Sequence, residues 1–131
     1  MAIATGQGPG PKVMSASTLI GDKVVNLQGE DLGKIEELMI DTDTGNVNYA
    51  VLSFGGFLGL GDKLFAIPFE SLQLDPEHKR FVLDESKEHL KNAPGFDKHD
   101  WPVMSQEWGE EIHRYYNVSP RKGGEPGEYR H

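Results

Sequence analysis

The feature that most constrains the fold of this chain lies between Gly33 and Pro68, where three short runs of strand-forming residues are separated by tight turns. The runs cover residues 33–41, 47–54 and 63–68, and an Asp/Thr/Gly/Asn segment typical of a hairpin joins the first two. Short β-branched and aromatic runs at this spacing predict an antiparallel sheet at the centre of the protein.

Three further runs extend the predicted sheet to six strands. They lie at residues 23–26, 72–74 and 81–83, and Asp75-Pro76 begins the turn between the last two. No long helical pattern separates any of these strands, so we exclude parallel crossovers. The sequence therefore predicts a mainly β fold, a small antiparallel six-stranded β-barrel, followed by a C-terminal amphipathic helix.

Two details of the predicted sheet follow from side-chain alternation. Ile35 and Leu38 fall on opposite faces of their strand, which fits a β-bulge at Glu36 and Glu37. Both faces of the strand at residues 47–54 are apolar. We therefore expect this strand to be central, with both of its faces covered.

The composition of the chain argues against several classes of function. The chain has 131 residues, a formal net charge of −8 at pH 7 and no cysteine. One domain fits this length, and the lack of cysteine excludes disulfides, thiolate-bound zinc and thiol catalysis. The excess of acidic residues disfavours binding to the phosphate backbone of a nucleic acid. We therefore expect a protein partner and no nucleic acid. Without a signal segment or an apolar run of ~20 residues, we expect a cytoplasmic protein with no membrane insertion.

Four segments differ in composition along the chain. Residues 1–16 and 119–131 are rich in glycine and proline, which predicts a disordered leader and a disordered tail. Residues 17–85 hold the predicted barrel domain. Residues 86–118 have a helical pattern and are predicted to form a helical C-terminal extension.

An aromatic-rich stripe marks the predicted helix of the extension. Trp108, Ile112 and Tyr116 recur at intervals of four residues, with charged residues between them. The stripe either packs within the chain and caps the barrel, or docks on a second subunit or a client protein. Its Trp and Tyr residues are typical of the second arrangement, a protein interface. We expect Asp100 to cap the start of this helix, just before Trp101.

The glycine-rich loop after the third strand is a second candidate for partner contact. From Gly55 to Lys63 it lacks the lysine placement of a Walker loop, and it is not followed by the helix that a dinucleotide-binding loop needs. We interpret it as a strand connector. Its Phe57 and Leu58 either dock on the core or form an exposed apolar patch available to a partner.

Two polar clusters raise the question of metal binding. Residues 41–43 share the Asp spacing of a calcium loop but lack its required glycine and glutamate, so a hairpin turn explains them. Asp97, His99 and Asp100 form a local cluster that could hold a metal, unless Asp100 serves as a helix cap. Spacing reveals no nucleophile–base arrangement, and we expect neither enzyme activity nor a cofactor.

Several strand and turn residues match the pattern of a known family. They are Gly33-Lys34-Ile35-Glu36-Glu37-Leu38-Met39-Ile40-Asp41, Thr44-Gly45, Val47-x-Tyr49-Ala50-Val51-Leu52 and Phe65-Ala66-Ile67-Pro68-Phe69. This set resembles the PRC-barrel family over about residues 19–83. The family includes the cytoplasmic barrel of the H subunit of photosynthetic reaction centres, a domain of a ribosome-maturation factor, and small stand-alone proteins, to which this chain is most similar. The resemblance implies a protein-docking barrel without catalysis of its own.

The leading functional hypothesis is a non-enzymatic protein-interaction or scaffold module that forms a homodimer. The residues expected at its contacts are Phe57, Leu58, Trp108, Ile112 and Tyr116. One alternative is a small-ligand or metal-binding barrel that acts in stress response or regulation, with Asp97, His99 and Asp100 as the first candidates. The other alternative, an accessory in RNA processing or ribosome maturation, is implied by the resemblance alone.

Overall fold

The computed structural model of this protein describes residues 13–55 and 63–118. Its helices are α1 (Ala16–Leu19), α2 (Lys87–Lys91) and α3 (Gln106–Tyr115). Its strands are β1 (Lys23–Val25), β2 (Asp31–Ile40), β3 (Val47–Phe54), β4 (Lys63–Pro68), β5 (Leu72–Asp75) and β6 (Arg80–Leu83), and a 3₁₀ turn at Phe69–Ser71 joins β4 to β5.

The strands form one sheet in the order β4-β3-β2-β1-β6-β5, which curls into a half-barrel. Within the described residues, four of the five strand pairs are antiparallel, but β1 runs parallel to β6, with Val24 opposite Phe81. The sheet is therefore mixed, and the prediction of a fully antiparallel barrel is wrong. A parallel pair needs a long connection. The prediction considered only strands that are neighbours in sequence, whereas β2 to β5 together supply that connection between β1 and β6.

The hairpin between β2 and β3 confirms the local predictions. The pairing register shifts between Ile35 and Glu37, where the bulge is predicted. In the turn, the Asp41 carboxylate accepts the backbone N–H of Asp43 at 2.9 Å. Gly45 has a φ of +82°, which suits glycine. Turn chemistry therefore explains the Asp-rich sequence at this corner.

Gly33 lets two strands approach one another very closely. Its φ is +119°, in the left-handed region that favours glycine. A Cβ at this position would lie 2.1 Å from the backbone oxygen of Ser53 in β3. Both the backbone conformation and the lack of space therefore require glycine near the start of β2.

The hydrophobic core joins the sheet and the helical extension. Residues 49–54 of β3 are all buried, which confirms the predicted central strand with both faces covered. Phe65 of β4 is fully buried in the same cluster. Leu90 of α2 and Ile112 of α3 are each 0% exposed and belong to that cluster as well. The extension thus completes the core of the sheet and does not form a separate unit.

The segment between α2 and α3 lies along the edge of β4. Leu64 and Phe96 exchange two backbone hydrogen bonds, each 2.9 Å long. This short bridge covers the start of an edge strand that would otherwise present unpaired backbone groups at that point. The extension is thereby tied to the sheet before α3 begins.

The start of α3 differs from the prediction. The Ser105 hydroxyl accepts the N–H of Trp108 at 3.2 Å and caps a helix that begins at Gln106. The prediction that Asp100 caps this helix is wrong, because Pro102 disfavours helical backbone in the residue before it. Within the described ranges, no helix is both long enough and apolar enough to span a membrane.

Candidate functional site

α3 packs the apolar stripe of the extension against the sheet. Ile112 is fully buried and Tyr116 is only 4% exposed, so both lie in the core. Trp108 is half-buried, and its ring meets the Tyr49 ring edge-on at a centroid distance of 5.2 Å. Of the two alternatives for this stripe, packing within the chain is therefore the arrangement observed.

A notch in α3 receives the side chain of Tyr49 from β3. The notch is Gly109, where an added Cβ would lie 2.4 Å from the Tyr49 Oη. Beside it, the buried His113 donates from Nδ1 to the Gly109 carbonyl oxygen at 2.8 Å. The His113 ring lies 5.9 Å from the Tyr49 ring. This close fit fixes where α3 lies on the sheet.

A groove separates the β2–β3 hairpin from the start of α3. Its volume is about 380 Å³. One wall is formed by residues 39–43 with Asn48 and Tyr49, and the other by residues 104–106. Because the second wall leads directly into α3, the groove depends on the docking of α3 at Tyr49. We call it the hairpin–helix groove.

Several polar side chains of the hairpin–helix groove have structural roles. The Asp41 carboxylate accepts the backbone N–H groups of Asp43 at 2.9 Å and Thr44 at 3.4 Å. The Ser105 hydroxyl is the cap of α3. Gln106 donates from Nε2 to the Glu110 carboxylate at 3.3 Å. These three groups therefore shape the hairpin turn and the start of α3.

Apolar side chains complete the groove and its rim. Met39 and Met104 are partly buried and pack against the core from opposite walls. Ile40, at the end of β2, is 53% exposed, and Val103, next to the second wall, is 84% exposed. The sequence analysis did not predict that these four residues share one site, since they come together through the docking of α3. The glycine inside the predicted helix, Gly109, was the available signal of that docking.

A second cluster connects α2 with α3. The Tyr115 hydroxyl donates to the His89 carbonyl oxygen at 2.5 Å, and the two rings stack at 4.3 Å. The Glu85 carboxylate is hydrogen-bonded to the His89 Nδ1. The Tyr116 hydroxyl is buried and has no hydrogen-bond partner in the described parts of the chain. Burial, and then the nearby Glu85 charge, raise the pKa of Tyr116 and also that of Tyr115.

The three residues considered as alternative metal ligands do not come together in the structure. Among the described residues, the candidate ligand atoms that lie within 4.8 Å of one another belong to Asp75, Glu77 and His78, and not to Asp97, His99 and Asp100.

In the Asp75 cluster, the carboxylate binds Arg80 Nε at 3.1 Å and His78 Nδ1 at 2.9 Å. Partial desolvation opposes ionisation of Asp75, but these hydrogen bonds together outweigh it and hold its pKa below the ordinary value. These hydrogen bonds explain the cluster as part of the hairpin turn between β5 and β6.

The remaining predicted contact residues, Phe57 and Leu58, lie outside the described residues. Of the five residues that sequence analysis assigned to partner contacts, Trp108 alone is described and partly accessible. It contacts Tyr49, which forms part of the hairpin–helix groove.

Residues 11–90 match the family described as the PRC-barrel domain. The match ends within α2, so α3 and the second wall of the hairpin–helix groove lie beyond it. Among solved structures, the chain is similar to a protein named as the 16S ribosomal RNA processing protein RimM from Pseudomonas aeruginosa, with 20% sequence identity and a TM-score of 0.43. That alignment covers 60% of this chain and 47% of the RimM chain, so this chain spans about half the length of that protein. No protein with a curated description matches significantly.

Proposed function

The chain belongs to the PRC-barrel domain family, and from that premise we propose that it is a protein-interaction module without catalysis of its own. The observation that carries this proposal is the hairpin–helix groove. It combines an exposed aliphatic rim at Ile40 with polar atoms that are already engaged in turn and cap hydrogen bonds. A cleft of this kind offers contact area and shape, which are what a docking surface needs.

The surface near the groove supports the same proposal. Val103 lies next to the second wall and Ile40 lies at the end of β2, and both are mostly exposed. Exposed aliphatic residues are a common feature of protein contacts. We therefore assign the contact to the groove and its rim.

The homodimer expected from the α3 stripe needs a different contact surface, because Ile112 and Tyr116 lie inside the core. We propose that the groove contacts a different protein and that the isolated chain is a monomer. Light scattering at high protein concentration measures this directly. A dimer that Ile40→Asp dissociates would identify a second copy of the chain as the partner at the same groove.

Affinity capture tests the docking function. The full chain, its Ile40→Asp variant and a matched Leu27→Asp variant are immobilised and exposed to extract of the source cells. Leu27 is 64% exposed and is not part of the groove walls, so it controls for a new surface charge. We expect a partner that the wild type and Leu27→Asp retain and that Ile40→Asp loses by about tenfold or more, because a charge is then buried in an apolar contact.

Thermal melts accompany this experiment, because both substitutions must leave the fold intact for the comparison to count. Substitutions at such exposed positions usually change the free energy of unfolding by only about 0.5 kcal/mol. Retention of an identical set of proteins by all three variants would contradict docking at the groove.

A further inference from the structure

The hairpin–helix groove also indicates the chemistry of its partner. We propose that it accepts an extended segment of another protein in which a lysine or arginine side chain lies next to an aliphatic one. This inference rests on the proposed docking function and specifies the occupant of the same groove.

The charge of the groove favours a cation. Asp41 and Asp43 line it, and among the described residues that line it none is lysine, arginine or histidine. The N-terminus of α3 faces the groove and contributes a partial charge of only about +0.5. Glu107 in the first turn of the helix opposes even that contribution. Two carboxylates therefore outweigh the helix end, and a basic side chain is the complementary group.

The shape and the apolar lining favour a side chain of a protein segment. The volume, about 380 Å³, lies near the lower end of the ~300–1,000 Å³ typical of ligand clefts. Met39 and Met104 face it from opposite walls, and thioether side chains adapt to aliphatic groups of varied shape. Ile40 extends this apolar surface toward solvent. A short segment with one aliphatic and one basic side chain satisfies both halves of the groove.

The position of the second wall suggests where the specificity resides. Residues 104–106 lie beyond the part of the chain that matches the family, residues 11–90, while Asp41 and Asp43 lie within it. The groove therefore combines a family hairpin with a wall supplied by the extension. The extension thereby determines which apolar side chain fits beside the acidic corner.

Selection from a displayed library of random short peptides tests this proposal with the full chain as bait. We expect the enriched peptides to carry lysine or arginine next to leucine, isoleucine or methionine. Affinity of an enriched peptide, measured by fluorescence anisotropy, should fall about fivefold in Asp41→Asn/Asp43→Asn, since exposed ion pairs contribute modestly. The side-chain amide oxygen introduced by Asp41→Asn would still accept the hydrogen bonds of the turn.

The matched control is Asp97→Asn/Asp100→Asn, which changes the net charge equally at positions outside the groove. It should bind the peptide as the wild type does. Raising the ionic strength from about 0.05 M to about 0.5 M should weaken binding to the wild type, because exposed charges are screened.

Three results would overturn the proposal: no enrichment, enrichment of acidic or purely apolar peptides, or equal binding by the groove and control variants. If the captured partner of the previous experiment still depends on Ile40 in that case, docking at the groove stands and the basic occupant is wrong. If Ile40→Asp also leaves capture unchanged, the docking function itself fails.

Discussion

The sheet and the helical extension contribute to the same core, but they are held in place by different kinds of interaction. In the sheet, local turns and strand register position the residues, as at Asp41 and Gly45. In the extension, contacts between side chains that are distant in sequence position the residues, as where Tyr49 packs against Gly109. The family match covers the sheet and stops before α3. One docked helix beyond the family match therefore adds the second wall of a groove to the sheet.

The largest expected effect tests the sheet. Gly33→Ala places a methyl group against the Ser53 carbonyl oxygen of β3 and forces a non-glycine residue to a φ of +119°. We expect a loss of about 4 kcal/mol in the free energy of unfolding, from backbone strain and overpacking together. That is a large share of the ~5–15 kcal/mol typical of a domain. Urea denaturation followed by circular dichroism measures it.

Gly45→Ala is the matched control for Gly33→Ala. Its φ is also positive, at +82°, but an added Cβ there has nothing within 4 Å. We expect a loss of only about 1 kcal/mol, from the backbone conformation alone. Equal losses in the two variants would show that β2 and β3 do not approach closely at Gly33.

A smaller effect is expected in the extension. Gly109→Ala would raise helix propensity by about 1 kcal/mol on an exposed helix. Here the new Cβ would lie 2.4 Å from the Tyr49 Oη, so either the Tyr49 side chain or α3 must shift. We expect a net loss of about 2 kcal/mol in the free energy of unfolding. The near-ultraviolet dichroism of Trp108, whose ring contacts Tyr49, should change as well.

The Tyr49→Phe background gives the control for Gly109→Ala. It removes the Oη, and the next Tyr49 atom, Cζ, lies at an ordinary 3.8 Å from the added Cβ. In that background Gly109→Ala should cost nothing or stabilise, which a double-mutant cycle would measure as coupling between the two positions. Stabilisation by Gly109→Ala in the wild-type background would contradict the docking of α3 at this notch.

The smallest expected effect concerns the contact of α3 with α2. Tyr116→Phe removes a buried hydroxyl without a partner in the described residues, so we expect a gain of about 1 kcal/mol in the free energy of unfolding. Tyr115→Phe is the matched control. It removes the hydrogen bond to the His89 carbonyl oxygen and should cost about 1 kcal/mol. A loss in Tyr116→Phe would contradict the burial of its hydroxyl.

The difference in the free energy of unfolding between the wild type and Tyr116→Phe should also depend on pH. Because the pKa of Tyr116 is raised in the folded state, its contribution to stability is complete below the unfolded pKa of about 10 and is lost as pH rises above it. Between about pH 10 and about pH 11 the wild type should lose about 1 kcal/mol more than Tyr116→Phe does. Alkaline denaturation curves in urea measure this difference, and parallel curves would contradict it.

Much of the sheet could be predicted from sequence because short-range rules determine it. The bulge next to Glu37, the turn that ends at Gly45 and the central position of β3 all follow from alternation and turn chemistry. The parallel pair of β1 and β6 does not. Strands of three and four residues carry no signal of direction, and their partnership depends on how the intervening strands curl.

The candidate site was less predictable than the sheet. The stripe at Trp108 and Ile112 was identified correctly as one face of a helix. Periodicity, however, cannot distinguish a face that is buried in its own chain from one that is exposed for a partner to bind. The hairpin–helix groove joins Asp41 to Met104, residues far apart in sequence. No local pattern links them, and the docking of α3, with Tyr49 against Gly109, brings the two walls together.

Native-state hydrogen exchange tests the central claim most directly, namely that α3 is docked on the sheet and forms the groove with the hairpin. A ten-residue helix such as α3 is marginal on its own in water, so its amides are protected only while it is docked. We predict that amides in the second half of α3, together with the Tyr116 N–H bonded to the Ile112 oxygen, open with the same free energy as amides of β3. Rapid exchange throughout α3 beside a protected β3 would contradict the account.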